Sequence, residues 1–126
     1  MAGRWRVRVR SLAMRILPIL VLTLAVLASP AQAARTCKSA DLRYPFTTGG
    51  PKTFGVFHLR ATGASCATAH AVAAAWKKQF EVKYKLPKTV NGYTFTELEP
   101  TAAQTYRLRG VKGSVRINFD YVVPNG

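Results

Sequence analysis

Residues 64–80, which read Ala-Ser-Cys-Ala-Thr-Ala-His-Ala-Val-Ala-Ala-Ala-Trp-Lys-Lys-Gln-Phe, constrain the fold more than any other stretch of this chain. Ser65 is a good N-cap, because its hydroxyl can accept from the free N–H groups of a first helical turn. Six alanines fall between positions 67 and 75, and alanine is the best helix former. Cys66, Ala69, Val72, Ala73, Trp76 and Phe80 recur at helical spacing, small at the start and aromatic at the end. Lys77 and Lys78 sit near the C-terminal end, where cations suit the helix dipole. This predicts one helix that lies close to its partner surface at the start and stands off it at Trp76. Residues 81–86 read equally well as a last turn or as a short extended segment.

The sequence on either side alternates with a period of two. Residues 54–61 read as a strand with Gly55, Phe57, Leu59 and Ala61 on one side and Val56, His58 and Arg60 on the other. Residues 93–98, 105–109 and 114–122 read as three more, the last being the clearest: Val115, Ile117, Phe119 and Tyr121 against Arg116, Asn118 and Asp120. Asn91-Gly92 and Gly110-Val111-Lys112-Gly113 read as turns. The expected fold is α+β: one helix on a four-stranded antiparallel sheet in the order β-α-β-β-β, a two-layer sandwich. Its buried layer would be Phe57, Leu59, Tyr93, Phe95, Tyr106, Leu108, Val115, Ile117 and Phe119. Facing them would be Ala69, Val72, Ala73, Trp76 and Phe80.

Residues 1–33 have the three parts of a secretory signal. Arg4, Arg6, Arg8, Arg10 and Arg15 form a basic segment, residues 16–28 an apolar run, and Ala31-Gln32-Ala33 a cleavage site. The run is short of the roughly 20 apolar residues a membrane span needs. The expected organisation is therefore a signal peptide over 1–33, an irregular arm over 34–52 rich in Pro and Gly, and a single small domain over 53–126. The leader takes five of the 19 Lys and Arg and none of the 5 Asp and Glu, so the formal charge falls from +14 to +9 and the domain stays basic. Cys37 and Cys66 both survive cleavage, and export would place them in an oxidising compartment. A disulfide between them is expected, tying the arm to the first helical turn.

Residues 59–76, Leu-x-Ala-x-Gly-x-Ser-Cys-x-x-Ala-x-x-Val-x-x-x-Trp, resemble a family of small exported bacterial proteins of unknown function. So do Gly92-Tyr93-Thr94-Phe95, Arg107-x-x-Gly110 and Val115-x-Ile117-x-Phe119. These are actinobacterial-type secreted proteins with an "sCxxA" helix start and a "GYxC" strand. The resemblance implies export and the fold above, and carries no catalytic residues. Such proteins commonly hold a second cysteine pair at the positions of Phe95 and Leu108. Its absence here implies an apolar contact between neighbouring strands in place of a cross-link.

Function is read from the surface. Arg60, Arg107, Arg109 and Arg116 all fall on the side of their strands away from the helix, with His58, Thr94, Thr96 and Asn118 among them and Asp120 as the clear negative. Guanidinium groups so placed can hold phosphates or carboxylates bidentately, whereas a solvated polar face is the plainer reading of the same pattern. A second basic cluster, Lys77, Lys78, Lys83, Lys85 and Lys88 with Tyr84, reads as a solubilising charge run or a surface for a polymer or membrane headgroup. Most aromatics fall on the core face, which disfavours specific nucleic-acid recognition by stacking. The arm Asp41-Leu42-Arg43-Tyr44-Pro45-Phe46 has an interface-like composition, so an inhibitor of an extracellular hydrolase is the alternative.

The inventory for catalysis is thin. There is no HExxH, P-loop, nucleophile elbow or metal-ligand spacing, and no cofactor is implied. His58 with Arg60 and Glu97 is the trio a small secreted hydrolase or ribonuclease would draw on, although Glu97 shares alternation with Phe95. His70 reads as a surface histidine. The expectation is a secreted, monomeric, non-enzymatic binding module for an anionic cell-envelope polymer or surface, acting through the arginines.

Overall fold

The structure, a computed structural model, describes residues 33–124. The expected leader and nearly all of its cleavage site lie outside the described residues. Among the described residues one α-helix, α1 (Cys66–Lys83), packs on an antiparallel sheet of seven strands rather than four. The strands are β1 (Arg35–Thr36), β2 (Arg43–Pro45), β3 (Lys52–Thr62), β4 (Thr89–Val90), β5 (Tyr93–Leu98), β6 (Thr105–Lys112) and β7 (Val115–Val122). The order is β1-β3-β7-β6-β5-β4, with β2 also on β3. The four long strands are the expected ones. After β3, α1 carries the chain to the far side of the sheet, and β5, β6 and β7 return by hairpins until β7 meets β3.

The three added strands are short, which is why alternation could not reveal them. Two belong to the arm. Arg35 and Thr36 pair with Ala61 and Arg60, and Arg43 and Tyr44 pair with Gly55 and Phe54. Between them a 3-10 turn (Ala40–Leu42) buries Leu42, and the buried Ser39 hydroxyl donates to the Val56 carbonyl at 2.9 Å. The arm is thus a cap on a sheet edge that would otherwise present unpaired backbone. Its close approach requires Gly55, at φ +107°, where a Cβ would stand 2.2 Å from the Leu42 carbonyl oxygen. The Cys37–Cys66 disulfide fastens the arm to the first turn of α1, and His70 Nε2 meets Asp41 Oδ2 at 2.7 Å a turn further on.

The helix begins and ends for local reasons. Ser65 Oγ accepts from the Thr68 N–H at 3.1 Å. At the other end Tyr84 adopts the left-handed conformation, φ 54°, and its N–H bonds back to the Phe80 carbonyl. Residues 81–83 are therefore helical. The buried stripe is Ala69, Val72, Ala73, Trp76 and Phe80, as the spacing predicts. Trp76 is fully enclosed, stacked on Phe80 at 5.2 Å and edge-on to Phe119 at 5.3 Å.

Alternation misplaces two residues of β3. Val56 is buried in the core, whereas Phe57 lies on the outer face under the Arg43 guanidinium, 4.2 Å from the ring centroid. The cause is a bulge. Phe57 pairs with Asp120 and Arg60 with Asn118, so His58 and Leu59 together oppose a single residue, and His58 takes φ 56°. The extra residue switches the side on which the strand presents its residues. Leu59 and Ala61 beyond the bulge stay in the core, and Val56 before it joins them. The expected turn at residues 110–113 is also shorter than read: Gly110, Val111 and Lys112 continue β6, and Gly113-Ser114 alone make the hairpin turn.

Candidate anion-binding site

The strand pairing decides which outer-face residues are neighbours. Arg60, Asn118, Arg109 and Thr96 form one row across β3, β7, β6 and β5. Side chains directly opposite in such a row have Cβ atoms about 4.5–5.5 Å apart, so Arg60 and Arg109 flank Asn118 at roughly two such spacings. The next row holds Phe57, Asp120, Arg107 and Leu98. Arg116 pairs with Thr62 and Val111 in the row on the far side of Asn118. Of the four arginines, Arg60 and Arg107 line one concave hollow, Arg109 adjoins it through Asn118, and Arg116 stands outside it.

That hollow has a volume of about 390 Å³. Besides the two arginines it is lined by Thr36 from the arm, His58, Thr101 from the β5–β6 loop, Asn118 and Asp120. The bulge builds one wall. By holding His58 in the left-handed region it turns the imidazole toward β7, where Nδ1 lies 3.0 Å from Asp120 Oδ2. Residues at positive φ cost about 1–3 kcal/mol and cluster at functional sites, and histidine is among the residues that tolerate it best. Asp120 is buried. Its other oxygen, Oδ1, lies 3.8 Å from Arg107 Nε. The carboxylate is thus engaged from both sides, and the hollow keeps the exposed Arg60 and the outer guanidinium nitrogens of Arg107 for a ligand. The His58 ring is largely exposed, with Nδ1 taken by Asp120 and Nε2 left to solvent or ligand.

The expected trio of His58, Arg60 and Glu97 is not assembled. Glu97 pairs with the core residue Leu108, one residue out of phase with the outer-face Thr96 and Leu98, and lies on the helix side of the sheet. Asp120 is the carboxylate that His58 meets. Sequence reading placed both on the outer face and missed their contact, because a bulge at His58 leaves no mark in the hydrophobic pattern beyond an ambiguous Val56-Phe57 pair. The parts played by Thr36 and Thr101 were not legible either, since both come from segments without periodicity. Among the described residues no cluster of three or more His, Cys, Asp or Glu could hold a metal ion, and no helix is long and apolar enough to cross a membrane.

Compared with protein-family models, with curated proteins and with solved structures, the chain matches none.

Proposed function

We propose that this protein is an exported binding module for anionic polymers of the cell envelope, and that the ligand's phosphate or carboxylate groups sit on Arg60, Arg107 and Arg109. The observation that carries the reading is the row Arg60–Asn118–Arg109 bordering a hollow that already contains Arg107. Arginine forks at this spacing suit repeated anionic groups, and Asn118 supplies an amide donor between them. Asp120 lines the same hollow, but its paired oxygens repel an anion far less than a bare carboxylate would. Export fits the disulfide, which persists in oxidising compartments.

The test is titration of the oxidised protein with fluorescently labelled polyphosphate over a range of salt. Binding should weaken steeply with ionic strength. Arg60→Ser/Arg107→Ser/Arg109→Ser should lower the slope of log affinity against log salt by about two, taking roughly 0.7 per lost phosphate contact. Serine replacement of Lys83, Lys85 and Lys88 is the control, and it should leave most of the slope in place. Equal losses in the two variants would mean that net charge, and not the hollow, holds the polymer.

One observation favours a second reading. A histidine fixed through Nδ1 by a buried carboxylate, with Nε2 free beside arginines, is the arrangement of a general base next to an anion clamp. His58→Asn should leave polymer binding intact under the first reading. Turnover of an RNA or phosphodiester substrate that disappears in His58→Asn would establish the second.

A further inference from the structure

A second concavity lies on the opposite side of the sheet, at the C-terminal end of α1, and has a volume of about 630 Å³. Its floor is Phe80, and three tyrosine rings stand nearly upright around it. Tyr84, Tyr106 and Tyr121 have centroids 6.2, 5.7 and 5.2 Å from Phe80 with interplanar angles of 71°, 64° and 65°. Tyr44 of the arm closes the fourth side, and Val123 and Pro124 the end. The slots between upright rings are apolar, and the ring tips are polar.

The polar chemistry of this cleft is weighted towards donors. Its one carboxylate, Glu81, is engaged on both oxygens: Lys77 Nζ lies 3.0 Å from Oε1, and the Tyr121 hydroxyl donates to Oε2. Burial and then the Glu81 carboxylate push the Tyr121 phenol well above its ordinary pKa, so it remains a donor locked onto Glu81. What is left is the Tyr84 and Tyr106 hydroxyls, the Tyr44 hydroxyl beside that of Tyr121, and the further N–H groups of Lys77. All of these can donate, and the strong acceptor already holds one partner on each oxygen. Lys78, next in the chain to Lys77, and Lys83 and Lys85, on either side of Tyr84, are exposed.

We infer that this cleft binds a proline-rich peptide segment with acidic flanks. Proline offers a carbonyl acceptor and no N–H, so a run of prolines is a ligand of acceptors alone. Its rings are compact and apolar, and the polyproline II helix is already ordered before binding, which is how aromatic-lined grooves capture such segments. A cationic ligand would have to displace Lys77 from Glu81 against the positive field of the whole chain. An oligosaccharide presents as many donors as acceptors, and its donors would compete with Lys77 and Tyr121 for Glu81. Lys77 in the cleft and the exposed lysines that adjoin its lining residues in the chain supply the complement to acidic flanking residues, and the site is independent of the arginine hollow.

The test is fluorescence anisotropy of the full oxidised protein with a labelled peptide of ten prolines flanked by glutamates. A control peptide replaces the prolines by alternating Gly and Ser. The proline peptide should bind about tenfold or more tightly than the control. Tyr84→Asn should weaken binding by about tenfold, on the scale at which aromatic anchors act. Asparagine suits the left-handed conformation at residue 84, and the Tyr84 side chain is 79% exposed, so the fold survives the change. Tyr106→Leu should weaken it likewise, while Arg60→Ser/Arg107→Ser should not. Equal binding of the two peptides, insensitivity to Tyr84→Asn, or displacement by chitotetraose at lower concentration than by unlabelled proline peptide would each overturn the assignment.

Discussion

Gly110→Ala sets two physical effects of opposite sign against each other, and the packing around residue 110 decides between them. Gly110 lies mid-strand in β6, facing Ile117 on one side and Phe95 on the other. Its backbone is ordinary extended chain, so alanine alone would favour the strand by about 0.5–1 kcal/mol. A Cβ there would nevertheless stand 2.6 Å from Phe95 Cζ and 2.8 Å from Cε2, where contacting carbons prefer about 3.5–4.0 Å. The ring must yield by about 1 Å, and its room is limited, with Trp76 at 6.5 Å and Phe119 at 6.0 Å between centroids. Overpacking costs about 1–3 kcal/mol, which outweighs the propensity gain. The net expectation is destabilisation by about 1–2 kcal/mol, or a fall in Tm of about 5–15 °C for a domain of this size. Urea unfolding followed by far-UV circular dichroism measures it. Phe95→Leu frees the space above residue 110, so the double variant should recover about 1 kcal/mol relative to the sum of the single changes. A Gly110→Ala protein as stable as the parent, or a cycle additive to within about 0.3 kcal/mol, would refute the reasoning.

Three further outcomes follow from other contacts. At position 58 the left-handed backbone makes glycine tolerable and valine costly, so His58→Gly should unfold within about 1 kcal/mol of the parent and His58→Val should lose about 1–2 kcal/mol more, both read by urea midpoints. Replacing Cys37 and Cys66 by Ala opens a loop of sequence separation 29, worth about 3.6 kcal/mol on the chain-entropy model, and should lower Tm by at least 10 °C in a thermal melt. The Tyr121 phenol has a raised pKa in the folded state. The folded protein therefore holds a proton that the unfolded chain releases above about pH 10, and stability should fall there by up to about 1.4 kcal/mol per pH unit. Tyr121→Phe should flatten that fall in alkaline urea titrations.

What could be read from the residues, and what could not, divides along a physical line. The helix, the four long strands and the Cys37–Cys66 link were legible because each rests on a local regularity: a cap and a 3.6-residue stripe, a period of two, a pair of cysteines. The edge strands β1, β2 and β4 were not, because two or three residues cannot display a period. Pairing of the arm depends on Gly55 admitting another backbone, a fact about space rather than pattern. The proposed anion site shows the same limit more sharply. Its arginines were assigned to the correct face from alternation alone, yet their grouping needed the strand order. Only with β7 between β3 and β6 do Arg60 and Arg109 share a row and Arg107 meet Asp120. The aromatic cleft depends on tertiary placement altogether. Tyr44 lies on the arm, Phe80 on α1, Tyr84 at its C-cap, Tyr106 on β6 and Tyr121 on β7, and nothing in their separate surroundings marks them as one wall. One extra residue at His58 then connects the two faces. It brings an imidazole to Asp120 on the outer side and sets Val56 against the core opposite Tyr121. Straightening β3 by deleting His58 should therefore disturb the hollow and the core together, which no change confined to either face would do.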